Sequence, residues 1–428
     1  IEYHNNFIYT AGTFSDSAFI FGNINIANNG ANDIIIAKWD TMGNLIWANN
    51  IYGAAEEQAV SIKVNNNNEL LIAGNSNSAT INTGGNVLTS NGGYDYFIAK
   101  YNLNGTFISS NIYGTAGPEA ASDMCVDYMN NIYLFFAGGL IYKYSPSGVY
   151  TSQAGFPQAQ EMDYSKLDSS LVLTGTYTGS LTLGNFTINA QGNLPNIYCL
   201  KISLSYVPLW LKGLYRSNVN GVYSAKTAAD PISGNTYIAK TAWYPISMGH
   251  FEIYKINQAG TLSIVTDDYD DGSSVPGSLC ALNNLVSVGR TDLNSLSVYD
   301  YNLNNMKIYD MCGHVSGLQD YHLLRSINSI YTLGYEQNNI RKFGKIGHEI
   351  LISGPGNQSI TACDSSIVTL NGNIYGGVPP LTYSWLPVTG LNNTNTNSVS
   401  FTATSNISYT LTVTDNIGQI AKDTFNVI

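Results

Sequence analysis

The stretch DIIIAKWDTMGNLIW (33–47) decides the fold, because it returns as DYFIAKYNLNGTFIS (95–109). Further copies are GLIYKYSPSGVY (139–150), IYCLKISLSYVPLW (197–210) and FEIYKINQAGTLSI (251–264). Two degenerate copies follow, LSVYDYNLNNMKIY (296–309) and NIRKFGKIGHEILI (339–352). The aligned position reads Lys38, Lys100, Lys143, Lys201, Lys255, Asp300 and Lys342, at intervals of 62, 43, 58, 54, 45 and 42 residues. Five residues on stand Gly43, Gly105, Gly148, Tyr206, Gly260, Asn305 and Gly347. Glycine suits a hairpin turn that needs positive φ.

A second series precedes the first: NNFIYTAG (5–12), NELLIAG (68–74), NNIYLFFAG (130–138), SSLVLTG (169–175), GNTYIAK (234–240), NNLVSVG (283–289) and NSIYTLG (328–334). A short strand lies before it, as in AVSIKV (59–64), ASDMCVDY (121–128) and DYHLLRSI (320–327). Each unit reads inner strand, Asn/Gly turn, second strand, variable loop, Lys-bearing third strand, Gly turn, outer strand. Four-stranded units of about 40–60 residues fit propeller blades. Seven fit residues 1–352, from an inner strand ending at Ile1–Tyr3 to an outer strand near Ile352. The uneven intervals argue against a stacked solenoid. The repeated Lys is periodic and is therefore read as structural, its stem along the sheet and its ammonium toward solvent or a carboxylate.

Composition agrees. The chain has 428 residues, 11% of them charged, with 31 Tyr and a net charge of −11. Asn, Ser and Thr disfavour helix, and Tyr and Thr suit strands. The negative charge argues against a nucleic-acid partner bound through phosphates. The longest apolar run, IYLFFAGGLIY (132–142), is too short to span a membrane, so no transmembrane segment is expected. The chain begins at Ile1 without Met, which reads as a mature or trimmed product. Five scattered cysteines, Cys125, Cys199, Cys280, Cys312 and Cys363, indicate neither a disulfide framework nor zinc.

The segments AKWDTMGNLIW and NELLIAG resemble the SBBP-type β-propeller repeat of secreted Bacteroidetes proteins. Residues 353–364 read as a linker, and 365–428 as a small β-sandwich around Trp385. Its segment GGVPPLTYSWLPVTGL…YTLTVTDNIGQ resembles PKD/Ig-like modules. The acidic turn of PKD domains is replaced by Leu386-Pro387, which sets aside a calcium role for this module. The expected fold is all-β: a seven-bladed propeller, then an Ig/PKD-like sandwich. The resemblance implies type IX secretion and an outer cell-surface or extracellular location. It also makes Asp16-Ser17-Ala18 and Asp40-Thr41-Met42 candidate O-glycosylation triplets, at Ser17 and Thr41.

Loops 15–32, 75–94 and 177–196 are the long ones, and would share one face with the blade-to-blade loops. Phe19, Phe21, Asn91, Tyr94, Phe186, Asn189, Trp243 and Tyr244 offer stacking surfaces and neutral hydrogen bonds there. Acids on the blade-to-blade loops (Glu56, Glu57, Glu119, Glu161, Asp163, Asp267, Asp268, Asp270, Asp271 and Asp320) would ring the channel mouth. DDYDDG (267–272) could hold a cation such as Ca²⁺, but Tyr269 occupies the third position of an EF-type pattern. No cofactor is otherwise expected. No GxSxG, HExxH or P-loop occurs, and Arg and His are scattered. The sequence thus reads as a non-catalytic adhesion or assembly protein that binds a glycan or a protein, or itself in a larger assembly. A carbohydrate-active hydrolase or lyase and a structural fibre subunit are the alternatives.

Overall fold

The computed structural model describes all residues except 22–23, 41–42, 193–194, 215–220, 245–246, 270–275, 283–284, 291–294, 300–304, 311–318, 327–328, 336–340, 348–350, 354–358, 361–365, 376–379, 417, 419 and 428. For 221–224, 241–244, 247–251, 264–269 and most strand residues between 276 and 375 it describes the backbone alone. The chain divides into two compact units. One holds Ile1–Asn304, Ile308–Leu324 and Thr332–Gly344, and the other Asn305–Lys307, Arg325–Tyr331 and Lys345–Ile428.

The first unit is a β-propeller. Among the described residues, six successive antiparallel sheets are built on four strands in meander order, the first extended to six by the hairpin Thr80–Asn82 and Val87–Thr89. The first comprises Glu2–His4, Phe7–Phe14, Asp33–Asp40 and Leu45–Gly53, and the second Glu57–Val64, Glu69–Ser76, Asp95–Asn102 and Phe107–Tyr113. A three-stranded sheet, Gln319–Ser326, Ser329–Tyr335 and Arg341–Gly347, comes last in sequence. The inner strands of sheets two to six, Glu57–Val64, Ala121–Val126, Ala159–Ser165, Gly221–Ala229 and Pro276–Leu282, each contact the next. That radial order is what makes the sheets blades.

Both faces of a blade are buried, so its middle strands read as unbroken apolar runs rather than alternating ones. In the second blade Leu70, Ile72, Phe97 and Ala99 pack with Ile34 and Ile36 of the first. Their chain neighbours Leu71, Ala73, Tyr96 and Ile98 pack with Ile132 and Leu134 of the third. The same alternation continues outward: Leu171 and Leu173 join the third–fourth core, and Val172 the fourth–fifth. Burying one such side chain stabilises by about 1.5–3 kcal/mol.

The aligned lysines are equivalent in five blades. A bulge in the pairing of the third and outer strands falls directly after Lys38, Lys100, Lys143, Lys201 and Lys255. Lys342 lies on the last third strand, and Asp300 falls outside the described residues. The turn that follows is also one device repeated. Its first residue (Asp40, Asn102, Ser145, Ser203 or Asn257) accepts the N–H four residues on through its side chain, at 2.8–3.1 Å. Its backbone carbonyl accepts the N–H of Gly43, Gly105, Gly148, Tyr206 or Gly260. Tyr206 holds φ 65° where four blades have glycine.

Two of the lysine ammonium groups meet backbone carbonyls instead of the solvent or carboxylate expected. Lys38 is buried and donates to the Leu103 carbonyl at 3.2 Å, in the next blade's turn. Lys100 likewise donates to Pro146 of the third blade. Lys201 follows the carboxylate expectation, pairing with Asp168 at 2.5 Å. Outer-strand side chains reach the same turns. Trp47 Nε1 donates to Leu103 O, Asn49 to Gly105 O, Tyr113 Oη to Gly148 O and Trp210 Nε1 to Gln258 O. Blades 1, 2 and 4 are thus clasped to their successors at the turn end.

The second unit is a small β-sandwich. The sheet of Ser359–Ile360, Ile420–Val427, Ile407–Thr414 and Thr382–Leu386 and the pair Ile367–Asn371 and Ser398–Thr402 enclose one core. Trp385 is fully buried in it, donating Nε1–H to Thr396 O at 2.8 Å and packing on Phe425. The outer strand expected near Ile352 belongs here instead. Leu351–Ser353 pairs with Asn373–Tyr375, and Ile352 packs on the sandwich core, which takes up its apolar side chain.

Gly260 has φ +78°, and a Cβ there would stand 2.7 Å from Trp210 Cγ. Gly192 has φ +77° with nothing within 4 Å. Gly260→Ala is expected to lose more stability than Gly192→Ala, whose left-handed strain alone costs about 1–2 kcal/mol. Urea denaturation midpoints at unchanged slope measure the difference; equal losses would show that the clasp leaves room.

Candidate functional site

The three long loops fold back as hairpins. Ala18–Phe21 pairs with Ile24–Ala27, Thr80–Asn82 with Val87–Thr89, and Ser180–Leu183 with Phe186–Asn189. The second joins the edge of the first sheet through Tyr52↔Asn82 and Gly53↔Ile81. Its tip reaches the turn end of its blade, where Tyr101 Oη donates to Thr83 O at 2.8 Å and Gly85 lies against Phe107. The third does the same, with Gly184 against Pro208. Ile81 and Leu88 enter the first–second core, and Leu181, Leu183, Phe186 and Ile188 enter or pack on the third–fourth. The second and third hairpins are lateral straps over the blade junctions, where their alternating apolar residues find burial along the blades. The first lies against its own blade through Phe19 and Phe21 and leaves Ile20 67% exposed.

The sequence-derived candidates therefore separate. Phe186 is packing material. Phe19 meets Phe14, and Phe21, 43% exposed, meets Trp39 edge-on at 5.0 Å. Asn189 is exposed and its carbonyl accepts from Tyr177 Oη. Trp243 and Tyr244 end a second strand, paired to Gly221 and Ser247. Asp267 and Asp268 lie in an outer-strand ladder opposite Glu252 and Phe251, not in the loop that a calcium reading needs. Asp270, Asp271 and Thr41 fall outside the described residues. Ser17 is exposed at the base of the first strap.

What stays on the loop face are the segments at the strap bases. Each carries a repeated cap. Asp33 Oδ2 accepts the Asn29 N–H at 2.8 Å, Asp95 Oδ2 the Asn91 N–H at 2.6 Å, and Asn196 Oδ1 the Gln191 N–H at 3.4 Å. Asn91 is thus anchored through its backbone and leaves its side chain exposed. Tyr94 differs from its blade-1 counterpart Asn32; both residues' carbonyls accept from the glutamate that opens the next blade, Glu119 and Glu57. Tyr94 Oη donates to Glu56 Oε2 at 2.5 Å, and Asn32 Nδ2 to Glu56 Oε1 at 3.1 Å. Burial, then the Glu56 carboxylate, push the Tyr94 phenol up to about 12, so it stays a donor.

Of the expected acidic rim, Glu57 is buried and accepts from Ser76, while Glu119 accepts the Thr115 N–H. Glu161 and Asp163 sit on an inner strand instead, where they join charges that the sequence reading passed over. Burial disfavours the Lys63 ammonium, but Glu2, Asp123, Cys125 and Asp163 together outweigh it and raise its pKa. These residues come from the first four blades, so they converge on the propeller axis. Lys226 pairs with Glu161 at 2.6 Å, and Asp163 Oδ2 accepts the Ala229 N–H at 2.7 Å. The signal for this cluster was the inner-strand bulge: Ser61, Asp123 and Glu161 each stand just after it.

Burial pushes the carboxyls of Asp33, Glu57, Asp123, Glu161 and Asp163 above their ordinary range. For Asp168 burial acts the same way, but bonds from Lys201, Ser165 and Ser170 outweigh it and lower the pKa.

No protein-family model matches the sequence, and no curated protein matches it. Among the described residues no helix is long and apolar enough to cross a membrane. Several solved structures are similar in fold. PorZ, an essential surface component of the type-IX secretion system of Porphyromonas gingivalis, is 11% identical at TM-score 0.46, over 100% of this chain and 58% of that one. The β-propeller domain of the Trilobed protease from Pyrococcus furiosus is 9% identical at TM-score 0.45, over 78% and 95%. BamB from Moraxella catarrhalis is 11% identical at TM-score 0.41, over 78% and 99%. The propeller assignment rests on the strand order and inter-strand packing of this chain.

The raised carboxyls bind protons more readily in the folded than in the unfolded state. Their contribution is full below the unfolded value near 4 and is lost as pH rises through the raised folded values. Asp168 acts oppositely, losing its contribution only as pH falls through its lowered value. Tm is therefore expected to rise as pH is lowered from about 8 to about 5. Asp163→Asn should flatten that slope, which relief of overall negative charge would not do. A Tm that falls toward pH 5 contradicts the assignment.

Proposed function

We propose that this is an exported, non-catalytic adhesion or assembly protein whose propeller binds a glycan or a protein through its loop face. The observation that supports it is the character of that face after the straps have folded down. Around the first two blades it presents the exposed residues Asn29, Asn77 and Asn91 and the half-buried Asn28, Asn32 and Tyr94. Neutral amides and aromatic rings recognise hydroxyl-rich or flat polar surfaces without charge. The SBBP-like repeat and the PKD/Ig-like segment add support for an exported, cell-surface setting of the type IX secretion kind, with Asp16-Ser17-Ala18 as a modification triplet.

The opposite face favours the assembly variant of the same reading. Tyr128, Met129, Leu167 and Ile232 are 57, 59, 49 and 53% exposed at the inner hairpin turns of blades 3 to 5. Blades 1 and 2 carry Asn5-Asn6 and Asn65 to Asn68 at these turns. An apolar arc of this kind suits contact with another protein.

The test is binding of the full chain to immobilised polysaccharides and to itself by interferometry, with reducing-end release measured in parallel. Replacing Asn77 and Asn91 by Ala is expected to weaken polysaccharide binding about tenfold, the cost of one or two hydrogen bonds. Met129→Asp with Leu167→Asp is expected to abolish self-association alone. Release of sugar that Asp268→Asn and Asp270→Asn abolish, with binding intact, would establish the enzyme instead.

A further inference from the structure

Repetition in this propeller marks scaffold. The turn caps, the lysine clasps and the strap-base carboxylates recur from blade to blade, and none of them can single out one site. A polar constellation that occurs once is a different matter. Among the described residues Glu56 is such a case. Counting from the first bulge of the inner strands, its place is taken by Pro118 before the third blade and Phe156 before the fourth. Neither can accept a side-chain hydrogen bond.

Three chain segments hold Glu56. Asn32, from the base of the first strap, donates to Oε1, and Tyr94, from the base of the second, donates to Oε2. Asn77 clasps its backbone on both sides: the Glu56 N–H donates to Asn77 Oδ1 at 2.8 Å, and the Asn77 N–H to Glu56 O at 3.1 Å. The side chain remains half-exposed. A carboxylate has about four lone-pair positions, two on each oxygen. One on each oxygen is used. One more position on each oxygen stays open, and Tyr94, half-exposed, and Asn77, exposed, are bonded directly to Glu56. A fixed pair of acceptors matches two adjacent hydroxyls, and a tyrosine face matches the C–H face of a sugar ring.

We propose that Glu56, oriented by Tyr94, Asn32 and Asn77, accepts two neighbouring hydroxyl groups of a pyranose, forming the glycan subsite of the loop face. This rests on the glycan form of the proposed function and names its centre.

Affinity electrophoresis of the full chain through gels containing yeast mannan, dextran, xylan or cellulose derivatives tests it. Wild type is expected to be retarded by at least one of them. Glu56→Gln keeps the shape and the Tyr94 bond but replaces one acceptor oxygen by a donor, and should weaken retardation at least tenfold with Tm unchanged. A second measurement needs no variant: the methyl pyranoside of the bound sugar should compete, and its deoxy analogue lacking one of the two hydroxyls should not. Retardation equal in wild type and Glu56→Gln, or competition by the deoxy analogue, overturns the subsite and leaves glycan binding standing. No retardation by any polysaccharide, with binding to a protein partner, overturns both.

Discussion

Two-sided burial is the constraint on which this propeller depends. A sheet with one wet face can leave its polar edges to water, but a blade packed on both sides must settle them with its neighbours. The repeated turn between third and outer strands does so twice. Its own first side chain takes one N–H, and the previous blade supplies donors for its carbonyls: Lys38 and Trp47 to Leu103, Trp210 to Gln258. Tyrosine serves the same end from within the core. Tyr101, Tyr113 and Tyr198 bury their rings and deliver a hydroxyl to Thr83, Gly148 and Pro157 carbonyls. Phenylalanine at these three positions would fill the space and leave those carbonyls unpaired.

What could be read from the sequence follows from what is local. The lysine series was legible because the bulge and turn behind it recur with similar residues in five blades. Trp385 was legible as a sandwich core for a similar reason, since the alternation around it is short-range. The fate of the long loops was not. SLTL and FTIN alternate like strands, yet nothing local says that the hairpin they form lies along a blade junction instead of above it. Its Leu181 is buried in a core with Tyr133 and Phe135, which are distant in sequence. The head of Lys38 was misjudged for the same reason, because the carbonyl that it meets is 65 residues away.

Charge in this chain is building material. Among the described residues Asp33, Glu57, Asp95, Asp127, Asp230 and Glu252 are buried, as are Lys38, Lys100, Lys201 and Lys240. Asp127 and Asp230 cap inner turns, Asp33 and Asp95 cap strap bases, and Lys240 pairs with Glu252 at 3.0 Å. The axial charges are likewise tied to one another or to backbone. A chain with 11% charged residues that spends them this way has few left for recognition. On the proposed reading, contacts with a partner fall to exposed amides and half-buried rings, and Glu56 matters because, among the described residues, it is a carboxylate on the loop face that belongs to no repeated element.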